Sequence, residues 1–359
     1  WQYFDAYERY ERGFDLFSLF NLPLWRATDF SDPNHPGRIN CMATGIRFAD
    51  RVVTVSPTYA LQIQYACDGL ERILNNVIGI SNAIGRDFGD RIRTGFTKSM
   101  FVEEMYPRLH ERILGDASLH EKISSRYPEI LAGIKAIDSV KASWRRYVLR
   151  RLRNKMMLQL QRGLAVDPDA ILICMIHRIT EQKGFQLLLD ASEGLFKHLG
   201  LQAIIGGSVS SGDRRGDEIA HGLYLLSQFY KDSVNVSFGF QEIGTPLLCS
   251  DLFCMPSLNE PGGISQLEAF AAGCLVVARA TGGLRDTVFP IRVRGARLRA
   301  TDFFFRTITP RPFMMRWSVR RLSSQPATRR PCTGRASMRN TPSTSGTGRR
   351  ENTSRRSTG

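Results

Sequence analysis

The chain has 359 residues, enough for two domains of ordinary size, and 42% hydrophobic with 23% charged residues excludes a fibrous or largely unfolded protein. A formal charge of +15 invites a nucleic-acid partner, yet residues 1–291 hold 32 basic and 32 acidic side chains, so the whole excess lies in residues 292–359. No apolar run approaches the roughly 18 residues that a membrane-spanning helix needs, which argues against a membrane partner.

The chain opens at Trp1 with no methionine and no signal-like stretch, so the expectation is that the true N-terminus is missing and targeting is not readable. ADRVVTVS (49–56) reads as a strand leading into a helix over PTYALQIQYA, with Ser56 as its N-cap and Pro57 as its first residue. Residues 98–162 are charged and helical in pattern. Their basic stretch from Arg145 to Lys155 reads as a solvated helix face rather than a phosphate-binding one.

From residue 163 onward strands and helices alternate. AILICMI (170–176), LQAIIGG (201–207), VNVSFGF (234–240), DLFCMPS (251–257) and CLVVARA (274–280) are short apolar runs suited to strands buried on both faces. Between them GFQLLLDASEGLFKHL (184–199), HGLYLLSQFY (221–230) and SQLEAFAAG (265–273) have helical spacing. This alternation predicts a doubly wound parallel sheet. Seven cysteines, an odd number without a CxxC pair, read as reduced thiols rather than a zinc site or disulfide framework.

In an open sheet of this kind ligands bind beyond the carboxyl ends of the strands, so the turns after strands are where chemistry is sought. After ILICMI, Arg178 and Lys183 bracket a turn; a planar fork and a movable point charge together suit a diphosphate leaving group. In NEPGGISQLEAF (259–270), Gly262 and Gly263 let backbone N–H groups at a helix start approach an anion. ATGGL (280–284) repeats the device with Thr281, Gly282 and Gly283. Glu260, on the loop, is placed to accept from sugar hydroxyls. Glu268, read as roughly two turns into the helix, is placed to reach a ribose. Capping or surface carboxylates are the plainer reading of both.

These residues carry a resemblance. DLFSLFNLP (15–23), GRINCMATGIRFADRVVTVSPTYA (37–60), LERILNNVIGISNAIG (70–85), VDPDAILICMIHRITEQKGFQLLLDA (166–191) and PSLNEPGGISQLEAFAAGCLVVARATGGLRDTV (256–288) are similar, in this order, to the starch and glycogen synthase family of glycosyltransferases. The resemblance implies a GT-B-like α/β fold, two Rossmann-like domains facing a cleft. Residues 1–97 would be the incomplete N-terminal, acceptor-side domain, 98–162 a helical insertion or linker, and 163–291 the nucleotide-sugar-binding domain.

By resemblance, Arg178 and Lys183 hold the donor diphosphate and stabilise its leaving charge, and Glu260 sits against the transferred glucose. Gly262, Gly263, Ile264, Thr281, Gly282 and Gly283 line the donor site, Glu268 reaches the ribose, and Phe240 stacks on the base. The implied donor is ADP- or UDP-glucose and the acceptor an α-1,4-glucan, with retention of configuration and no metal or other cofactor. Asp167-Pro-Asp169 is then a turn and not a metal-binding motif. The implied compartment is cytoplasmic or plastid-like.

The chain departs from the family pattern at Gly262, where a cysteine is usual, and at Glu268, where a tyrosine or glutamine is usual. The family's Lys-Thr-Gly-Gly-Leu loop and catalytic histidine have no counterpart in these residues. A small-acceptor hexosyltransferase and a non-catalytic nucleotide- or carbohydrate-binding fragment remain as alternatives. Residues 292–359, with 17 arginines and no lysine, read as a disordered or frame-shifted tail before a polyanion-binding arm.

Overall fold

In the computed structural model the residues described are 3–5, 21, 23–35, 38–85, 87–88, 90, 100–290, 292–294, 297–299 and 303–305. In the first part of the chain the described residues form four short strands, β1 (Tyr3–Asp5), β2 (Arg38–Asn40), β3 (Val53–Thr54) and β4 (Ile78–Gly79). Among the described residues this part also holds three helices, α1 (Ala27–Phe30), α2 (Cys41–Phe48) and α3 (Pro57–Ile63). β1 and β2 pair antiparallel, while β3 and β4 pair parallel around α3. Ser56 caps α3 as expected: its side chain accepts from the Tyr59 amide at 3.1 Å, and Pro57 opens the helix where no N–H is needed. A small core of Ala43, Ile63, Leu70 and Leu74 holds this part together.

Residues 100–161 form five helices, α4 (Met100–Leu114), α5 (Ala117–Arg126), α6 (Pro128–Ala132), α7 (Ile134–Ser139) and α8 (Ser143–Gln161). The expectation of a solvated basic face on α8 fails only for its second half: Arg145 and Arg150 stay partly exposed in ion pairs with Glu129 and Asp138. Residues Arg153 to Gln159 are all buried, because α8 docks on the sheet, where Lys155 and Gln159 find partners, while the Arg153 side chain bonds its neighbour Asn154 and, among the described residues, leaves Nη1 unpaired. Lys155 Nζ donates to the Ala170 carbonyl at 2.9 Å and to Asp251 at 3.0 Å, and Gln159 bonds Gln202 at 2.7 Å. Arg151 donates to the carbonyls of Ala272 and Ser250. Asp167 and Asp169 accept from Lys122 at 2.9 Å and Arg126 at 2.6 Å, so the Asp-Pro-Asp turn fastens α5. The residues read as a linker share one continuous apolar core with the sheet, from Leu109 and Ile123 to Phe253 and Val276.

The sheet is built from β5 (Leu172–Ile176), β6 (Gln202–Gly207), β7 (Val234–Phe238), β8 (Leu252–Met255) and β9 (Leu275–Arg279). Each predicted run becomes a strand one to three residues shorter, all parallel, with β5 and β6 buried throughout. The connecting helices are α9 (Phe185–Asp190), continued by a π-helical turn at Glu193–His198, then α10 (Arg214–Phe229), α11 (Gly244–Cys249), α12 (Ser265–Ala272) and α13 (Gly282–Thr287). α11 is not expected from the sequence, because six residues with a proline in the first turn show no helical period.

Strands β10 (Arg292–Arg294) and β11 (Arg297–Arg299) form an antiparallel pair, and β12 (Phe303–Phe305) adds in parallel to β9. The start of the predicted disordered tail is therefore paired backbone; residues 306–359 lie outside the described residues, as does most of the 15–23 block. The sheet order is β12-β9-β8-β5-β6-β7. The chain moves outward from β5 through β6 to β7, then returns to the other side of β5, so the topology reverses between β5 and β8. Among the described residues no helix is long and apolar enough to cross a membrane.

Candidate functional site

The carboxyl ends of β5 and β8, at the point of reversal, carry the cluster that a doubly wound sheet reserves for ligands. After β5 the chain makes a tight turn through Glu181–Lys183 and reaches Gly184 at φ +75°. A side chain at Gly184 would strike the Pro256 carbonyl, so this glycine lets the β5 turn lie against the end of β8. The two are stitched by backbone and side chain: Leu258 N–H donates to the Gln182 carbonyl, and Gln182 Nε2 to the Asn259 carbonyl, both at 2.8 Å.

That approach brings together residues 77 positions apart. Lys183 Nζ donates to Glu260 Oε2 at 2.5 Å, with side chains only 14% and 10% exposed, and Ser257 Oγ donates to the same oxygen at 3.2 Å. Arg178 is exposed on the same turn, with no ion pair among the described residues. The site therefore presents one cation already neutralised by a buried carboxylate and one that faces solvent.

The two glycine-rich turns do not act alike. Gly263 takes φ +68°, and the N–H groups of Gly262, Gly263 and Ile264 have no hydrogen-bond partner among the described residues, an arrangement suited to an anion at the start of α12. Gly283 N–H, in contrast, donates to the carbonyls of Glu260 at 2.9 Å and Pro261 at 3.2 Å. A Cβ on Gly282 would meet the Glu260 carbonyl, and one on Gly283 would lie 2.5 Å from the Gly262 carbonyl oxygen. Glycine is thus required at 282 and 283 because one turn packs on the other, and the Gly283 amide joins the turns instead of facing a ligand. Thr281 is buried at the start of α13, with no capping bond from its side chain.

Glu268 lies in the first turn of α12, not two turns in, because the helix begins only at Ser265. It is half-buried, and that burial raises its carboxyl above the usual range. Phe240 is 95% exposed beyond β7, two strands away from β5 at the edge of the sheet. The structure thus gathers Lys183, Glu260, Gly262, Gly263, Ile264, Gly282 and Gly283, keeps Arg178 on the same rim, and leaves Phe240 apart.

Two neighbours of the site are not read from the sequence. His177 precedes Arg178 and packs against Phe253, with ring centroids 5.1 Å apart, while its Nε2 bonds the Cys254 carbonyl at 2.9 Å. Burial lowers its pKa to about 4, the nearby Lys183 charge adding to the effect, so the imidazole is neutral at physiological pH. Gln266 is fully buried under the glutamate turn, with Nε2 donating to the Gly262 carbonyl and Thr287 Oγ1, both at 3.1 Å. The only signal for either was adjacency to a motif.

Comparison with known proteins places these elements. Residues 6–76 match the starch synthase catalytic domain and residues 159–290 the group 1 glycosyl transferases. The glycogen synthase of Lactococcus lactis subsp. lactis (strain IL1403) is 33% identical over 265 residues, 71% of this chain and 45% of the relative. That of Clostridioides difficile (strain 630) is 32% identical over 292 residues, 79% of this chain and 51% of the relative. The catalytic domain of starch synthase IV from Arabidopsis thaliana, solved with ADP and acarbose, superposes with a TM-score of 0.59 at 26% identity, covering 85% of this chain and 54% of that one. The chain spans about half the length of the curated relatives it matches.

Proposed function

Because the chain belongs to the starch and glycogen synthase family of glycosyltransferases, with a GT-B α/β architecture, we propose that it supplies the donor-binding side of an α-glucan synthase. The proposed reaction moves glucose from ADP- or UDP-glucose to the non-reducing end of an α-1,4-glucan with retention. The bond between the anomeric carbon and the diphosphate breaks, a new glycosidic bond forms to the acceptor hydroxyl oxygen, and the hydroxyl proton leaves with the diphosphate. The observation that carries this reading is the Lys183–Glu260 pair beneath the unpartnered amides of Gly262, Gly263 and Ile264, with Arg178 on the same rim.

In this reading Arg178 and those amides meet the diphosphate, and Lys183 turns from Glu260 toward it as charge develops on the leaving group. Glu260, released from its ion pair, is then free to accept from glucose hydroxyls. Thr281 and Gly282 contact phosphate and Glu268 the ribose, while Phe240, exposed beyond the edge strand β7, takes no part in this reading. The diphosphate charge is met by side chains and amides, so the proposal includes no metal.

The test is calorimetric titration of the chain with ADP, UDP and their glucose conjugates, with EDTA present and absent. Binding that is unaffected by EDTA and lost in both Arg178→Ala and Lys183→Ala is the expected result. Binding that survives both substitutions places the nucleotide elsewhere and overturns the reading.

A further inference from the structure

The glutamate turn is held from a side that no donor motif accounts for. Ser56 Oγ, besides capping α3, donates to the Pro261 carbonyl at 2.6 Å, 205 residues away. Two residues on, Thr58 donates to Asp286 of α13 twice, from its amide to Oδ2 at 2.9 Å and from its hydroxyl to Oδ1 at 2.5 Å. Three residues before Asp286, Gly283 N–H returns to the carbonyls of Glu260 and Pro261. These bonds close a ring: Ser56 to Pro261, Pro261 to Gly283, along α13 to Asp286, and back to Thr58. Asn82 Nδ2 adds a longer contact to the Gly263 carbonyl at 3.4 Å.

Gly262 makes this seating possible. A Cβ there would lie 2.6 Å from Asn82 Nδ2, 2.8 Å from Val55 Cγ2 and 2.9 Å from Val55 Cβ, closer than carbon atoms pack. The amide of Asn82 can swing away. Val55 Cβ belongs to a stiff β-branched residue one position before Ser56, so any side chain at 262 displaces the segment that carries Ser56 and Thr58.

We infer that Ser56, Thr58 and Asp286 are positioning residues, a latch by which residues 55–82 set the geometry of the Glu260–Ile264 turn, and that Gly262 is the residue whose small size lets the latch close. The inference rests on the donor-site reading only for the identity of the ligand whose affinity the latch controls. The latch fixes the Pro261 carbonyl directly and the Glu260 carbonyl through Gly283. It thereby sets where the Glu260 side chain and the three unpartnered amides stand.

The test is amide hydrogen exchange on the full chain, joined to titration with ADP and UDP, for the wild type, Asp286→Ala, Asp286→Asn and Gly262→Ala. Loss of a bond of this kind is expected to speed exchange at Gly283, and to weaken nucleotide binding, by roughly tenfold in Asp286→Ala, with β5 and β6 amides unchanged. Gly262→Ala is expected to do the same while removing none of the hydrogen-bonding groups of the ring, and Asp286→Asn, which keeps an acceptor for Thr58, to fall between. If the Thr58 amide is released in Asp286→Ala while Gly283 exchange and nucleotide affinity stay at wild-type values, Asp286 merely caps α3 and the inference is overturned. If the wild type takes up neither ADP nor UDP, the donor reading fails, and exchange at Gly283 alone decides the latch.

Discussion

The Lys183–Glu260 contact is the most consequential pair of side chains in the structure, because both charges are largely removed from water. Cutting a buried pair by removing one partner costs more than the pair is worth, since the other charge is left desolvated. Lys183→Met is therefore expected to lower stability by about 3 kcal/mol in urea unfolding, and Lys183→Met with Glu260→Gln by less than the sum of the single losses. His177 makes a second prediction. Above pH 6.5 it is neutral in both the folded and unfolded chain. As pH falls from 6.5 to about 4, the unfolded chain takes up a proton that the folded chain refuses, so stability declines over that window and levels off below it. The decline attributable to this residue is on the order of 3 kcal/mol and should vanish from the pH profile of a His177→Asn variant.

At the scale of elements, Gly184 decides whether the β5 turn and the end of β8 can touch. Gly184→Ala forces a Cβ into a left-handed conformation against the Pro256 carbonyl, so a loss of about 2 kcal/mol or more is expected in denaturant unfolding, with the proposed nucleotide binding weakening alongside it. The parallel strands were legible because burial on both faces leaves continuous apolar runs such as ILICMI, and turn glycines mark where those runs end. The cations, Glu260 and the glycines were legible from their places after strands. The division of labour among the glycines was not, because Gly-Gly before a helix is written the same way whether its amide faces a ligand or, as at Gly283, another turn. Glu268 was misplaced because α12 starts after Ile264, where Gly263 in the left-handed region delays the first helical residue. His177 and Gln266 carried no pattern of their own; only the packing against Phe253 and beneath Gly262 gives them meaning.

At the scale of the molecule, the sequence divides where the structure does not. A basic run usually lies in solvent, and on that rule α8 belongs to a linker; instead Lys155, Gln159 and Arg151 close the polar ends of strands and helices that the sheet alone leaves open. A fragment beginning at residue 163 is expected to lack a cooperative urea transition, because its apolar layer under β5, β8 and β9 is completed by Met156, Met157 and Leu158. A fragment beginning at residue 100 is expected to regain one, and circular dichroism of the two separates the cases. The reversal between β5 and β8 also has a consequence for assembly in time. β5, β6 and β7 follow one another and can pair as the chain advances, whereas β8 must find β5 across the intervening strands, a slow closure of high contact order. Lys183 and Glu260, 77 residues apart, can meet only when that strand has inserted, so their pairing marks a late step of folding in this half of the chain, and the proposed nucleotide binding should appear in refolding kinetics after most of the secondary structure has formed.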